Sequence, residues 1–250
     1  MPRNHLFTTL FVCLSIALIS FAKTTGNKAA SAMAAKAVAA DTVAVKDSVA
    51  VESLSTSLYK ELNLSGAGLS EEAIDYAIKG YEKLVAQGAV PNSRYLTIID
   101  FGQSSRKKRF YLLDIENREL VINTFVSHGK NSGLDMATKF SNTINSEQSS
   151  LGFYVTGATY TGKHGKSLRL AGQEAGFNNN AEARGVVVHG AAYVNEGRVN
   201  SAYMGRSQGC PALPEKEYAR VIDLIKDGSV LFIYHPTAGN YTHQAPLLNS

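Results

Sequence analysis

The chain has 250 residues, 44% of them hydrophobic and 18% charged, so it is long enough to bury an ordinary core and is neither disordered nor collagen-like. Its 25 Lys and Arg against 21 Asp and Glu leave a formal net charge of +4. The densest basic run is only Arg106-Lys107-Lys108-Arg109, which reads as a solvated turn and argues against a nucleic-acid partner. Twelve Tyr, ten Phe, 21 Gly and no Trp favour a fold rich in strands and turns over a helical bundle.

In chain order, Arg3 precedes an apolar stretch from Leu6 to Ala22 that closes on Ser20-Phe21-Ala22, a small-x-small pattern. Residues 1–22 therefore read as a secretory signal peptide. The stretch also has about the ~17 residues that can just span a bilayer, so a retained anchor is the alternative and the one membrane contact expected. Cleavage removes Cys13 and leaves Cys210, a single thiol that cannot form an internal disulfide in an oxidising compartment.

Residues 23–55 are rich in Ala, Val, Lys, Ser and Asp and read as a low-complexity tether. Residues 56–91 read as a helical extension. Within it Ser70 is the expected N-cap, with Glu71 and Glu72 in the first turn, where the helix dipole favours negative charge. Ala73, Ile74, Ala77, Ile78, Tyr81, Leu84 and Val85 recur at helical spacing, and Gly88 and Pro91 end the pattern.

Residues 92–238 switch to strand periodicity, over Tyr95–Asp100, Arg109–Ile115, Leu120–Ser127, Phe153–Tyr160, Val186–His189 and Val230–Tyr234. A later helix is expected over Glu215–Lys226, closed by Gly228, and residues 239–250 are expected to be a C-terminal tail. The fold class that follows is mainly β: a β-rich sandwich or partly open barrel with one packed late helix and an N-terminal helical extension.

Two segments carry the chemistry, Val186-Val187-Val188-His189-Gly190 and Gly205-Arg206-Ser207-Gln208-Gly209-Cys210-Pro211. The apolar triplet reads as a buried strand presenting His189 at its end, and Gly209 lets the backbone turn tightly beside the thiol. A cysteine attacks as thiolate, and a neighbouring imidazole can take its proton and lower its apparent pKa below the free value of about 8.5. An activated thiol of this kind is expected to alkylate quickly below pH 8. Each residue alone also fits a bland role, a satisfied core histidine or an inert thiol.

Together, His189-Gly190 followed by Ser207-x-Gly209-Cys210 resembles the signature of the murein L,D-transpeptidase catalytic domain family, the YkuD-like L,D-transpeptidases. Further matching stretches are Ser127-His128-Gly129, Phe140-Ser141-Asn142, Ser149 to Tyr154, Tyr160 to Gly165, and Cys210-Pro211-Ala212-Leu213. The resemblance implies acyl transfer on peptidoglycan stem peptides. Cys210 is then the nucleophile on the amide before a terminal D-alanine, and His189 is base and then acid. It also implies a bacterial periplasm or envelope and needs no cofactor. The acyl group passes to a side-chain amine of another stem, forming a 3,3 cross-link, or to water, which makes the enzyme an L,D-carboxypeptidase. A non-catalytic wall-binding module is the reading from another class.

Acyl transfer needs donors for the carbonyl oxygen, and the N–H groups of Gly209 and Cys210 are the expected oxyanion hole. No carboxylate stands where it would orient the imidazole. That role falls to a backbone carbonyl, of Ser207 first or Gly190 second, and the Ser207 hydroxyl is then dispensable. Pro211 and Ala212 stand where many relatives carry an Arg or Asn, so Arg206 is the candidate for the substrate carboxylate. His128 is a candidate for the cleft wall, His164, in a Gly-flanked turn with Lys163 and Lys166, for contact with acidic glycan or stem carboxylates, and Tyr193 and Tyr203 for the groove. No HxxxH or CxxC pair points to a metal.

Overall fold

A computed structural model describes residues 52–237 and 241–249. The expected signal segment and most of the expected tether lie outside the described residues. Helix α1 (Leu54–Glu61) begins on Ser53, whose hydroxyl accepts the Thr56 N–H. It therefore starts within the span read as tether. Helix α2 (Glu71–Ala86) starts at Ser70 as expected, the hydroxyl accepting the Ala73 N–H at 3.3 Å. Ala73, Ile74, Ala77, Ile78, Tyr81 and Leu84 form its buried stripe, while Val85 lies off the stripe and is exposed. This stripe joins the same core as the strands, so the helices form a layer against the sheet.

Ten strands follow among the described residues: β1 (Tyr95–Asp100), β2 (Phe110–Asp114), β3 (Glu119–Thr124), β4 (His128–Gly129), β5 (Gly152–Gly162), β6 (Gly165–Gly172), β7 (Val187–Gly190), β8 (Arg206–Ser207), β9 (Ala212–Leu213) and β10 (Val230–Tyr234). Eight of them form one sheet in the order β3-β2-β1-β10-β5-β6-β7-β9. The central strands β1, β2 and β10 are buried along their whole length, which explains their continuous apolar sequences. The sheet nearly closes on itself. Three residues past the edge strand β3, the Ser127 N–H donates to the Ala212 carbonyl of the opposite edge strand β9 at 2.9 Å. The parallel pair β4 and β8 lies just beyond this seam. The fold is thus mostly β and barrel-like.

Several expectations change. Strand β6 was not expected, because only Leu168 and Leu170 of its alternating side chains are large and apolar. Helix α3 is shorter than expected, Tyr218–Ile225. The supposed tail forms α4 (Tyr241–Gln244) and α5 (Pro246–Asn249), and Tyr241, Leu247 and Leu248 are buried in the core. Arg109, read as part of a solvated turn, is fully buried, giving its guanidinium to the carbonyls of Gln103 and Val126 and resting on the Phe101 ring. Beside the main core a small second cluster packs Phe125, Ala191, Val194, Met204 and Ala212 at the seam.

Candidate active site

Strand β7 ends in His189-Gly190 and pairs in parallel with β9, His189 opposite Ala212, so Cys210 is delivered two residues before that register point. Gly209 makes the turn into the cysteine: its φ is 119°, and a Cβ there would lie 2.8 Å from the Gln148 carbonyl oxygen. Both side chains open on a cavity of about 560 Å³, which His164, Tyr193, Arg206 and Ser207 also line.

The imidazole of His189 is nearly buried, and its Nδ1 lies 2.8 Å from the Gly190 carbonyl oxygen. A carbonyl only accepts, so Nδ1 carries the proton and Nε2 keeps its lone pair. Burial is the main force holding the His189 pKa below the ordinary imidazole value, with His164 and Lys163 adding to it against the Gly190 carbonyl. The ring of His164 stacks on that of His189, centroids 4.4 Å apart. Burial likewise pushes the Cys210 thiol up, against pulls from the Val187 backbone, Arg184 and Lys163. Its Sγ donates to the Gly185 carbonyl at 3.7 Å. Burial thus favours the uncharged form of each side chain in the resting arrangement.

The Ser207 carbonyl, first choice as imidazole partner, instead accepts the Lys130 N–H at 2.8 Å, because β4 runs alongside β8. The Ser207 hydroxyl is not idle: it donates to the Cys210 carbonyl at 2.6 Å and accepts the Gly209 N–H at 3.1 Å, tying the turn together. That bond also occupies one of the two N–H groups expected in the oxyanion hole. Arg206 lines the cavity, yet its Nη1 donates to the carbonyls of Lys130 and Gly133, and its guanidinium sits over the Tyr203 ring at 4.7 Å. Tyr203 lies under Arg206 and outside the cavity wall.

His128 is not in the cleft. It is fully buried, its Nδ1 accepts from Arg109 Nη2 at 2.7 Å, and Phe101 meets its ring edge-on. Burial, with the Arg109 charge, pushes its pKa down to about 3.

Arg184 was not expected in the site, and Lys163 was expected only as part of the turn around His164. Arg184 donates to the carbonyls of Ser141 and Gln148 and to the Ser150 hydroxyl, fixing the loop before β5 against the cavity floor. Its signal was a lone arginine just ahead of the strand that carries His189. Lys163 stands beside His164 at the tip of the β5–β6 hairpin. Lys130, Lys163, Arg184 and Arg206 line the cavity, and among the described residues no Asp or Glu does. No group of three His, Cys, Asp or Glu side chains suited to a metal occurs among the described residues. None of the described helices is long and apolar enough to cross a membrane.

The family model of the L,D-transpeptidase catalytic domain matches residues 65–234, and the chain belongs to that family. Comparison with curated proteins finds no match. Among solved structures, an L,D-transpeptidase from Mycobacterium smegmatis is similar at 15% identity, with 56% of this chain and 58% of that one covered and a TM-score of 0.36. An L,D-transpeptidase from Xylanimonas cellulosilytica is similar at 17% identity, with 61% and 68% covered and a TM-score of 0.32. For the helical cell shape determining protein Pgp2 from Campylobacter jejuni, a K307A mutant, the values are 11%, 62% and 53%, and 0.37. The chain spans less than two thirds of the length of the first of these.

Proposed function

We propose that the chain is an exported cysteine acyltransferase of peptidoglycan, cleaving the bond before the terminal D-alanine of a tetrapeptide stem and forming 3,3 cross-links. One observation carries this reading: Cys210 and His189 open on one cavity, and the Gly190 carbonyl holds Nδ1 so that Nε2 is free to act as a base.

As Cys210 Sγ attacks the carbonyl carbon, His189 Nε2 takes the thiol proton and a C–S bond forms. Collapse of the tetrahedral intermediate breaks the C–N bond, and the imidazolium returns its proton to the departing amine of D-alanine. An acceptor amine then attacks the thioester and gives its proton to His189; the C–S bond breaks and the sulfur is reprotonated. Water in place of the amine gives the tripeptide acid. The oxyanion needs N–H donors. In the resting arrangement the Gly209 N–H is held by Ser207 Oγ, which leaves the Cys210 N–H as the first donor.

The test is mass spectrometry of disaccharide-tetrapeptide incubated with the purified chain and with Cys210→Ala. The intact chain is expected to release D-alanine and form dimers, and the variant to lose both by at least about a thousandfold. Tripeptide without dimers identifies water as the acceptor. Unchanged tetrapeptide returns the protein to the wall-binding reading.

A further inference from the structure

The four cations around the cavity are not equivalent. The Lys130 ammonium is paired with Glu147 at 2.7 Å. Arg184 is spent on the carbonyls and hydroxyls of the loop before β5, and Arg206 Nη1 on two carbonyls. Lys163 alone of the four makes no hydrogen bond or ion pair among the described residues, yet it lines the cavity. It shares that cavity with both His189 and Cys210. A cation left without a partner beside a nucleophile, in a cavity free of carboxylates, is a place for an anion.

The donor proposed above carries one anion close to its scissile bond, the carboxylate of the departing terminal residue. We propose that Lys163, at the tip of the β5–β6 hairpin, is the specificity residue that receives this terminal carboxylate. The inference rests on the acyl-transfer reading. It moves the role from Arg206, whose guanidinium is already committed to the backbone. The hairpin supplies the reach: β5 and β6 remain paired out to Gly162 and Gly165, so the outer, exposed part of the ribbon carries Lys163 to the cavity mouth. Lys163 touches no part of the core and its substitution leaves packing intact.

The experiment compares two tetrapeptide donors, one ending in the free carboxylate and one in its carboxamide, as a ratio of kcat/KM. The intact chain is expected to favour the acid by about tenfold, the size of one charge-assisted contact. Lys163→Gln should bring the ratio close to one, Lys163→Glu should invert it, and Lys163→Arg should restore most of it. Arg206→Gln should keep the acid preference. A ratio near one in the intact chain, or a preference that survives Lys163→Gln, overturns the proposal, and loss of preference in Arg206→Gln alone assigns the anion to Arg206. If the intact chain turns over neither donor, the acyl-transfer reading fails separately, and calorimetric titration of Cys210→Ala with both donors decides the anion site. Tighter binding of the acid that disappears in Cys210→Ala/Lys163→Gln supports Lys163. Equal binding of the two donors, or none, overturns it.

Discussion

The thiol of Cys210 and the imidazole of His189 are both pressed toward neutrality by burial, the thiol upward and the imidazole downward. Iodoacetamide labelling of Cys210 in the folded chain is therefore expected to stay slow below pH 8 and to climb through a midpoint above the ~8.5 of a free thiol. Mass spectrometry of labelled chain between pH 6 and 10 reads that midpoint, and a value under 7 would show a preformed thiolate. Cys210 and His189 were legible in the sequence because each ends an apolar or glycine-turned segment whose spacing is distinctive. His128 was misread because a histidine at a strand end looks the same whether it faces a cleft or a buried arginine. Arg109 decides the matter from another strand. Lys163 was legible only as part of the basic turn around His164, and Arg184 was missed, for a related reason: which cations face a cavity depends on hairpin register and loop packing, neither of which is local.

Among the elements, the contact of α2 with the sheet is the tightest constraint. A Cβ at Gly80 would meet the Phe153 ring at 2.0 Å, and that ring is stacked on Phe232 with centroids 4.2 Å apart. Helix propensity favours Gly80→Ala by about 1 kcal/mol, whereas overpacking a core costs about 1–3 kcal/mol. With no open side for Phe153 to move into, the steric cost wins. Gly80→Ala is expected to lose about 1 kcal/mol net, seen as a lower urea midpoint at unchanged slope. A rise in the midpoint would show that α2 slides freely on the sheet. Strands β1 and β10 were legible to the residue because strands buried on both faces spell continuous apolar runs. Strand β6 was not, since Arg169 and the glycines at its ends thin the alternation.

At the scale of the molecule, residues 241–249 belong to the fold. Tyr241 is 2% exposed and its hydroxyl donates to the buried Glu174 carboxylate at 2.7 Å, and the same carboxylate oxygen accepts the Phe153 N–H. Leu247 and Leu248 close over the core. Three such side chains are worth roughly 1.5–3 kcal/mol each, a large share of the ~5–15 kcal/mol that holds a domain together. Deleting residues 241–250 is expected to lower the melting temperature by at least about 10 °C or to leave the chain insoluble. Tyr241→Phe is expected to cost about 1–3 kcal/mol by removing one of the two hydrogen bonds on that buried carboxylate oxygen. Wild-type melting in both would make the segment the loose tail the sequence suggested. Helices of four residues carry too little periodicity to be read in advance. The sequence pattern did reach the β-rich class, the late helix and the start of α2.

The small cluster of Phe125, Ala191, Val194, Met204 and Ala212 packs apart from the main core, and it carries the seam and the loop leading to Cys210. His189 is anchored in the main sheet. Ala191 and Ala212 of the cluster lie two residues past His189 and Cys210, so it braces both halves of the site. Met204 and Val194 are buried, so truncating either to Ala is expected to loosen this cluster and the loop leading to Cys210 together, at a cost of about 2–5 kcal/mol for Met204.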